Sequence, residues 1–314
     1  MSNKQLAFAF PGQGSQSTGM LSELAIVHPD VISTFAEAAD SLGFNLWSLV
    51  QNNPDDQLNM TAYTQPALVA ASVAIWRVWQ AAGGAQPAIM AGHSLGEYSA
   101  LVCANVLSFS DAVALVADRG KYMQEAVPEG VGAMAAILGL EDEQVVQVCI
   151  DAAGSQIVSA ANYNANDQVV IAGHKEAVER AIVLAKDAGA RRAILLPVSV
   201  PSHCALMWGA ADRFAERLDQ VSFSEAAIPI VQNVDAEPRS SADEIKQALL
   251  QQLHQPVRWK ESIRKLKTMG VTRIIECGPG KVLTGLIRRI DTDLEVKPVN
   301  DSRSLEDAIN GAHS

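Results

Sequence analysis

An α/β fold, built on a mainly parallel sheet with a smaller unit inserted into it, is what this sequence predicts, on three observations. Towards both ends of the chain, short apolar runs alternate with helix-like periodic stretches, the pattern of a parallel sheet flanked by helices. Over residues 88–104 an apolar run, a glycine-bounded turn and a helix-compatible stretch follow one another directly. Between residues 134 and 197 the rhythm changes to short strands set around two amphipathic segments.

In chain order, residues 7–10 form a strand-sized apolar run that ends in Pro11-Gly12-Gln13-Gly14-Ser15-Gln16. A second strand at 88–91 feeds Gly92-His93-Ser94-Leu95-Gly96, and a helix is expected over 98–104. Ser110-Asp111 reads as the N-cap and first-turn acid of the next helix. Along it Ala112, Leu115, Val116, Tyr122 and Met123 share one face with Arg119 at i, i+3 and i+4 spacing. Strands at 134–138, 157–161, 168–172 and 192–197, with helices at 141–153 and 175–188, give the order βαββαβ, a ferredoxin-like unit. Strands at 228–231 and 273–277 return to the first rhythm, the latter running into Gly278-Pro279-Gly280. Residues 129–198 are therefore expected as an inserted subdomain, and 1–128 with 199–314 as the large core, with a cleft between them.

Composition bounds the function. At 314 residues, 48% hydrophobic and 19% charged, the chain can bury a substantial core. The apolar stretch at residues 6–10 is too short for a signal or membrane segment, so a cytoplasmic protein is expected. Cys103, Cys149, Cys204 and Cys277 form no CxxC pair and have no histidines at metal-ligand spacing, which argues for four reduced thiols and no metal site. A net charge of -11 without any basic run argues against nucleic acid, and an acidic partner would need a local basic patch.

Gly92-His93-Ser94-Leu95-Gly96 is the strongest chemical signal, a GxSxG between strand and helix. A serine hydroxyl becomes a nucleophile when it is held exposed, beside a base, at a helix N-terminus whose amides stabilise an oxyanion. The same pattern also occurs as an ordinary tight turn. Among His28, His93, His174, His203, His254 and His313, the best-placed base is His203, because it follows the last strand of the inserted unit. His93 would be aimed away from the hydroxyl at a sharp turn. No Asp or Glu occupies an obvious strand end between Ser94 and His203, so a Ser-His dyad oriented by another acceptor, such as a backbone carbonyl, enters consideration. Arg119 admits two accounts: it reaches outward or pairs with an acid, or it waits in the cleft for a substrate carboxylate. The Pro11 to Gln16 turn offers backbone donors at a strand's carboxyl end, and Gly278-Pro279-Gly280 with Lys281, Arg288 and Arg289 offers a phosphate or acidic-protein contact, though both also read as plain turns.

Together, Pro11-Gly12-Gln13-Gly14-Ser15-Gln16, Gly92-His93-Ser94-Leu95-Gly96-Glu97-Tyr98, Arg119, Val200-Pro201-Ser202-His203 and Gly278-Pro279-Gly280 resemble, in this order and over nearly the whole chain, the malonyl-CoA:acyl-carrier-protein transacylases. The resemblance implies an α/β-hydrolase-like core and a ping-pong reaction, in which Ser94 takes malonyl from malonyl-CoA and passes it to the phosphopantetheine thiol of acyl carrier protein, without a consumed cofactor, for fatty acid synthesis. It implies His203 as base with the main-chain carbonyl of Gln252 behind it, and the amides of Gln13 and Leu95 as oxyanion hole. Arg119 would meet the malonyl carboxylate, and Asn162 would line the cleft. Asn164-Ala165-Asn166-Asp167-Gln168 departs from the glycine-containing loop of the family. Lys186, Arg191, Arg192, Lys281, Arg288 and Arg289 are the candidates for carrier docking, and a monomer is expected. The rival readings are a serine thioesterase, a non-enzymatic docking module, and a transacylase serving a polyketide synthase or a malonate decarboxylase.

Overall fold

The structure, a computed structural model, describes residues 3–198 and 200–312; Ser199 and His313 lie outside them. In chain order its strands are β1 (Asn3–Phe10), β2 (Pro87–Gly92), β3 (Gly132–Leu138), β4 (Val158–Ala165), β5 (Gln168–His174), β6 (Arg192–Leu195), β7 (Ile230–Val231), β8 (Pro238–Arg239), β9 (Arg273–Cys277) and β10 (Glu295–Val299). They form a six-stranded sheet, ordered β10-β9-β1-β2-β7-β8, and a separate four-stranded sheet, ordered β4-β5-β3-β6. The larger sheet is parallel except for β8 at its edge, and the smaller one is antiparallel throughout.

The centre of the larger sheet explains why β1 reads as an unbroken apolar run. Leu6, Ala7, Phe8, Ala9 and Phe10 are all fully buried, because helices cover both faces of a parallel sheet. Period-two alternation sends Leu6, Phe8 and Phe10 to the face covered by helix Thr61–Ala81, and the small Ala7 and Ala9 to the face filled by Trp259, Ile263 and Leu266. Phe8 meets Trp76 and Trp79 edge-on with ring centroids at 5.2 Å. Each such pair contributes about 0.5–1.5 kcal/mol beyond the area it buries.

Two differences from the sequence reading have a plain physical reason. β10 is absent from it, because Glu295-Val296-Lys297-Pro298-Val299 carries charges and a proline, the composition of an edge strand paired on one side only. The helix that carries Arg119 spans Phe109–Ala126, and its N-cap is Ser108 in place of Ser110. Ser108 Oγ accepts from the Asp111 N–H at 3.0 Å, so the Ser-x-x-Asp spacing marks the true start.

In the smaller sheet the same alternation builds two surfaces. Ala135 and Ile137 of β3 pack with Val169 and Ile171 of β5 against helices Asp142–Ala153 and Lys175–Asp187. Met134, Ala136 and Val170 face the other way and roof a cleft. The two sheets are tied together at several points. Val257 N–H donates to Ala161 O and Tyr163 N–H to Val257 O, both at 2.9 Å, and Lys260 pairs with Asp142 at 2.6 Å. All four cysteines are buried and free. Among the described residues, no helix is long and apolar enough to cross a membrane.

Candidate active site

Ser94 sits between the end of β2 and helix Gly96–Cys103, with φ at 51°, a left-handed conformation that a serine adopts only when its surroundings enforce it. The flanking glycines make the turn possible. A Cβ on Gly92 would lie 2.0 Å from the Gly96 carbonyl carbon, and one on Gly96 would lie 2.0 Å from the Phe10 carbonyl oxygen. Asn233, just beyond β7, clamps the turn from below: its Oδ1 accepts from the Ser94 N–H and its Nδ2 donates to Gly92 O, both at 2.6 Å. Replacing Asn233 with alanine strips both groups of their partner and is expected to lower stability by about 2–4 kcal/mol, read as a lower denaturant midpoint at unchanged m.

His203 is brought to this turn from the far side of the inserted unit, with Nε2 at 2.7 Å from Ser94 Oγ. Helix Ala242–Gln252 orients it, since the last carbonyls of a helix have no partner inside it. Leu253 O accepts the His203 N–H at 3.1 Å, and Gln252 O pairs with the ring Nδ1 at 2.7 Å. A carbonyl only accepts, so Nδ1 carries the proton and Nε2 is left to accept from Ser94. Burial, helped by the Arg119 charge, pushes the imidazole down to about 3, so it is neutral and ready as a base at physiological pH.

Arg119 is 1% exposed. It neither reaches solvent nor meets a carboxylate among the described residues: it donates to Gln65 Oε1 at 2.9 Å and Gln252 Oε1 at 3.1 Å, lies 5.4 Å from the Tyr98 ring centroid, and leaves its Nε without an acceptor. Burial pulls its pKa below the ordinary arginine value. A buried cation held by neutral groups is ready for an anion from outside. Arg119, Ser94 and His203 line one cleft of about 520 Å³, together with Gln13, Leu95 and Asn162. The backbone N–H groups of Gln13 and Leu95 have no acceptor among the described residues, as oxyanion donors require. Gly278 closes the loop arrangement, since a Cβ there would lie 2.4 Å from the Pro11 ring.

Asn162 is 6% exposed, on β4 where the strand pairs with Val257. The loop that follows closes without glycine: Ala165 pairs with Gln168, and the strand register shifts between Ala160 and Asn162 and between Tyr163 and Ala165. Its side chains bridge the two sheets. Asn164 Oδ1 lies 2.7 Å from His93 Nε2, which turns His93 away from Ser94, and Asn166 donates to the carbonyls of Arg289 and Ile290. Of the basic residues named above, Arg191 and Arg289 converge on Asp167. Lys186, Arg192, Lys281 and Arg288 are exposed, with Lys281 capping the far end of the helix that carries Arg288 and Arg289.

Sequence reasoning missed Asn233, Gln65 and the side chain of Gln252. Gln65 carried a signal, an amide set among apolar residues in a helix buried on nearly every side, and Asn233 follows a strand end. The Gln252 side chain joins three groups: Nε2 donates to Ser94 O at 3.0 Å and to Glu97 Oε2 at 2.9 Å, while Oε1 accepts from Arg119.

Residues 7–304 match the acyl transferase domain family. The malonyl CoA-acyl carrier protein transacylase of Salmonella typhimurium is 56% identical over 305 residues, covering 97% of this chain and 99% of the relative. The crystal structure of malonyl-CoA:acyl carrier protein transacylase from Xanthomonas oryzae superposes with a TM-score of 0.97 at 52% identity, covering 99% of each chain. A malonyl-transacylase in complex with its holo acyl-carrier protein of a type II polyketide synthase also superposes at 0.97, with 55% identity over 98% of this chain and 99% of that one.

Proposed function

Because the chain belongs to the acyl transferase domain family, and within it to the malonyl CoA-acyl carrier protein transacylases, we propose the following course for its reaction. The enzyme transfers malonyl from malonyl-CoA to acyl carrier protein. Ser94 Oγ attacks the thioester carbonyl while its proton passes to His203 Nε2, and the N–H groups of Gln13 and Leu95 stabilise the oxyanion. The carbon–sulfur bond breaks, CoA leaves with the proton from His203, and malonyl remains as a serine ester. The phosphopantetheine thiol of the carrier then gives its proton to His203, attacks the ester and returns Ser94 to its starting state. Arg119 holds the malonyl carboxylate, Asn162 borders the acyl group, and no cofactor is consumed.

The observation that carries this reading is Arg119, a buried cation without a carboxylate partner among the described residues, in the same cleft as the Ser94–His203 pair. Intact-mass spectrometry after brief exposure to malonyl-CoA tests it. A malonyl adduct that disappears on addition of holo carrier protein is expected; free malonate accumulating without an adduct would indicate a thioesterase instead.

The order β3, helix, β4, β5, helix, β6 supports a ferredoxin-like subdomain at 129–198, set into an α/β-hydrolase-like core of 1–128 and 199–314. The pathway served is fatty acid synthesis in a cytoplasmic, monomeric enzyme. The polyketide alternative has one observation in its favour, the equally good superposition on a transacylase bound to a polyketide carrier.

Carrier docking is assigned to Lys186, Arg191, Arg192, Lys281, Arg288 and Arg289, of which Arg191 and Arg289 meet at Asp167 in the turn between β4 and β5. Reversing charge at Arg191 and Arg192 together is expected to raise KM for carrier protein roughly tenfold and leave KM for malonyl-CoA alone. Arg192 should account for most of the change, because Arg191 is already paired with Asp167. Unchanged carrier kinetics would exclude this surface.

A further inference from the structure

Glu97 is fully buried at the start of helix Gly96–Cys103, behind the catalytic serine. Its two carboxylate oxygens are treated unequally. Oε2 accepts from Gln252 Nε2 at 2.9 Å and from the Asn233 N–H at 3.1 Å, whereas Oε1 is buried without a partner among the described residues. Both donors belong to groups that hold the site together, since Asn233 clamps the Ser94 turn and Gln252 touches Ser94 O, Arg119 and, through its carbonyl, His203. Arg119 touches no acid among the described residues, so the negative charge linked to it, through a single amide side chain, is that of Glu97.

We propose that Glu97 is a positioning residue that sets the charge balance of the acyl pocket, its carboxylate opposing the malonyl carboxylate across Gln252 for the field of Arg119. The proposal rests on the malonyl-loading reading above. It predicts that neutral Glu97 favours loading of malonyl over acetyl, and that ionised Glu97 narrows the difference.

The groups facing Glu97 leave it as the titrating member. Arg119 lies across Gln252, and Arg239 of β8 is engaged by Asp235 at 2.5 Å. Burial pushes the neighbouring Tyr98 phenol up and His203 down to about 3, so neither changes charge near neutrality. Burial also raises Glu97 to about 7, against the opposing pull of Gln252, Asn233 and Arg119. The sign follows: below this value the carboxyl is neutral and Arg119 attracts malonyl fully, and above it the attraction is partly cancelled.

Glu97→Gln isolates the charge from the bonds. The amide oxygen can take both donors at the Oε2 position, and the NH2 falls where Oε1 has no partner. The measurement is the single-turnover loading rate from malonyl-CoA and from acetyl-CoA between about pH 6 and 8, taken as a ratio so that effects common to both substrates cancel. For the wild type the malonyl-to-acetyl ratio is expected to fall roughly tenfold as pH rises through this window; for Glu97→Gln it should stay at the wild-type level of about pH 6 throughout. A flat ratio in a wild type that loads malonyl overturns the proposal, as does a variant that keeps the wild-type decline or slows both acyl groups equally. A wild type that loads no malonyl at all removes the transacylase reading, and the proposal with it.

Discussion

With alanine in place of Ser94, the protein is expected to gain no mass from malonyl-CoA and to pass no malonyl to carrier protein, a loss of about 10⁴- to 10⁶-fold in kcat. The reason is positional. Among the described residues, only Ser94 combines a hydroxyl 2.7 Å from the His203 base with a backbone turned so that the side chain points out of the elbow. Arg119, Gln13 and Leu95 remain in the variant, so malonyl-CoA should bind with nearly unchanged affinity while chemistry stops. Calorimetry paired with intact-mass spectrometry separates the two. An adduct persisting in Ser94→Ala would place the nucleophile elsewhere and end the proposed mechanism.

Arg119→Ala carries the second largest effect, and it falls on one substrate. Truncating one member of a desolvated charge pair costs about 2–5 kcal/mol, so kcat/KM for malonyl-CoA should fall by roughly 30- to 5000-fold. Acetyl-CoA offers no carboxylate, and its slow loading should be unchanged or faster. Lysine in place of Arg119 is expected to recover only part of the malonyl activity, because a single ammonium cannot span Gln65 and Gln252 while also facing the substrate. Equal losses with both acyl groups would mean that Arg119 supports the architecture of the site and does not read the carboxylate.

Much of this site is legible in the order of the residues. The elbow can be read because its requirements are local: a Cβ at position 92 or 96 would lie 2.0 Å from a neighbouring backbone atom, so glycine is what fits there. Arg119 stands out because helical periodicity alone puts it among Ala112, Leu115, Val116 and Met123, all of them buried. The βαββαβ order is visible because each strand alternates into its own small core. By contrast, β10 is hidden by its edge composition and the Ser108 cap by a competing serine two residues on. Nothing in the neighbourhood of Gln252 announces that its side chain joins Ser94, Glu97 and Arg119.

Residue order thus settles what depends on sterics and period within a few positions: the strained serine turn, the apolar faces, and the presence of a cation on one of them. Distance and surroundings belong to the folded chain. His203 lies 109 positions from Ser94 and reaches it because the end of helix Ala242–Gln252 offers carbonyls with no helical partner. The ionisation of His203 and Glu97 is likewise set by burial and by the charge of Arg119, which are properties of packing and have no counterpart along the linear chain.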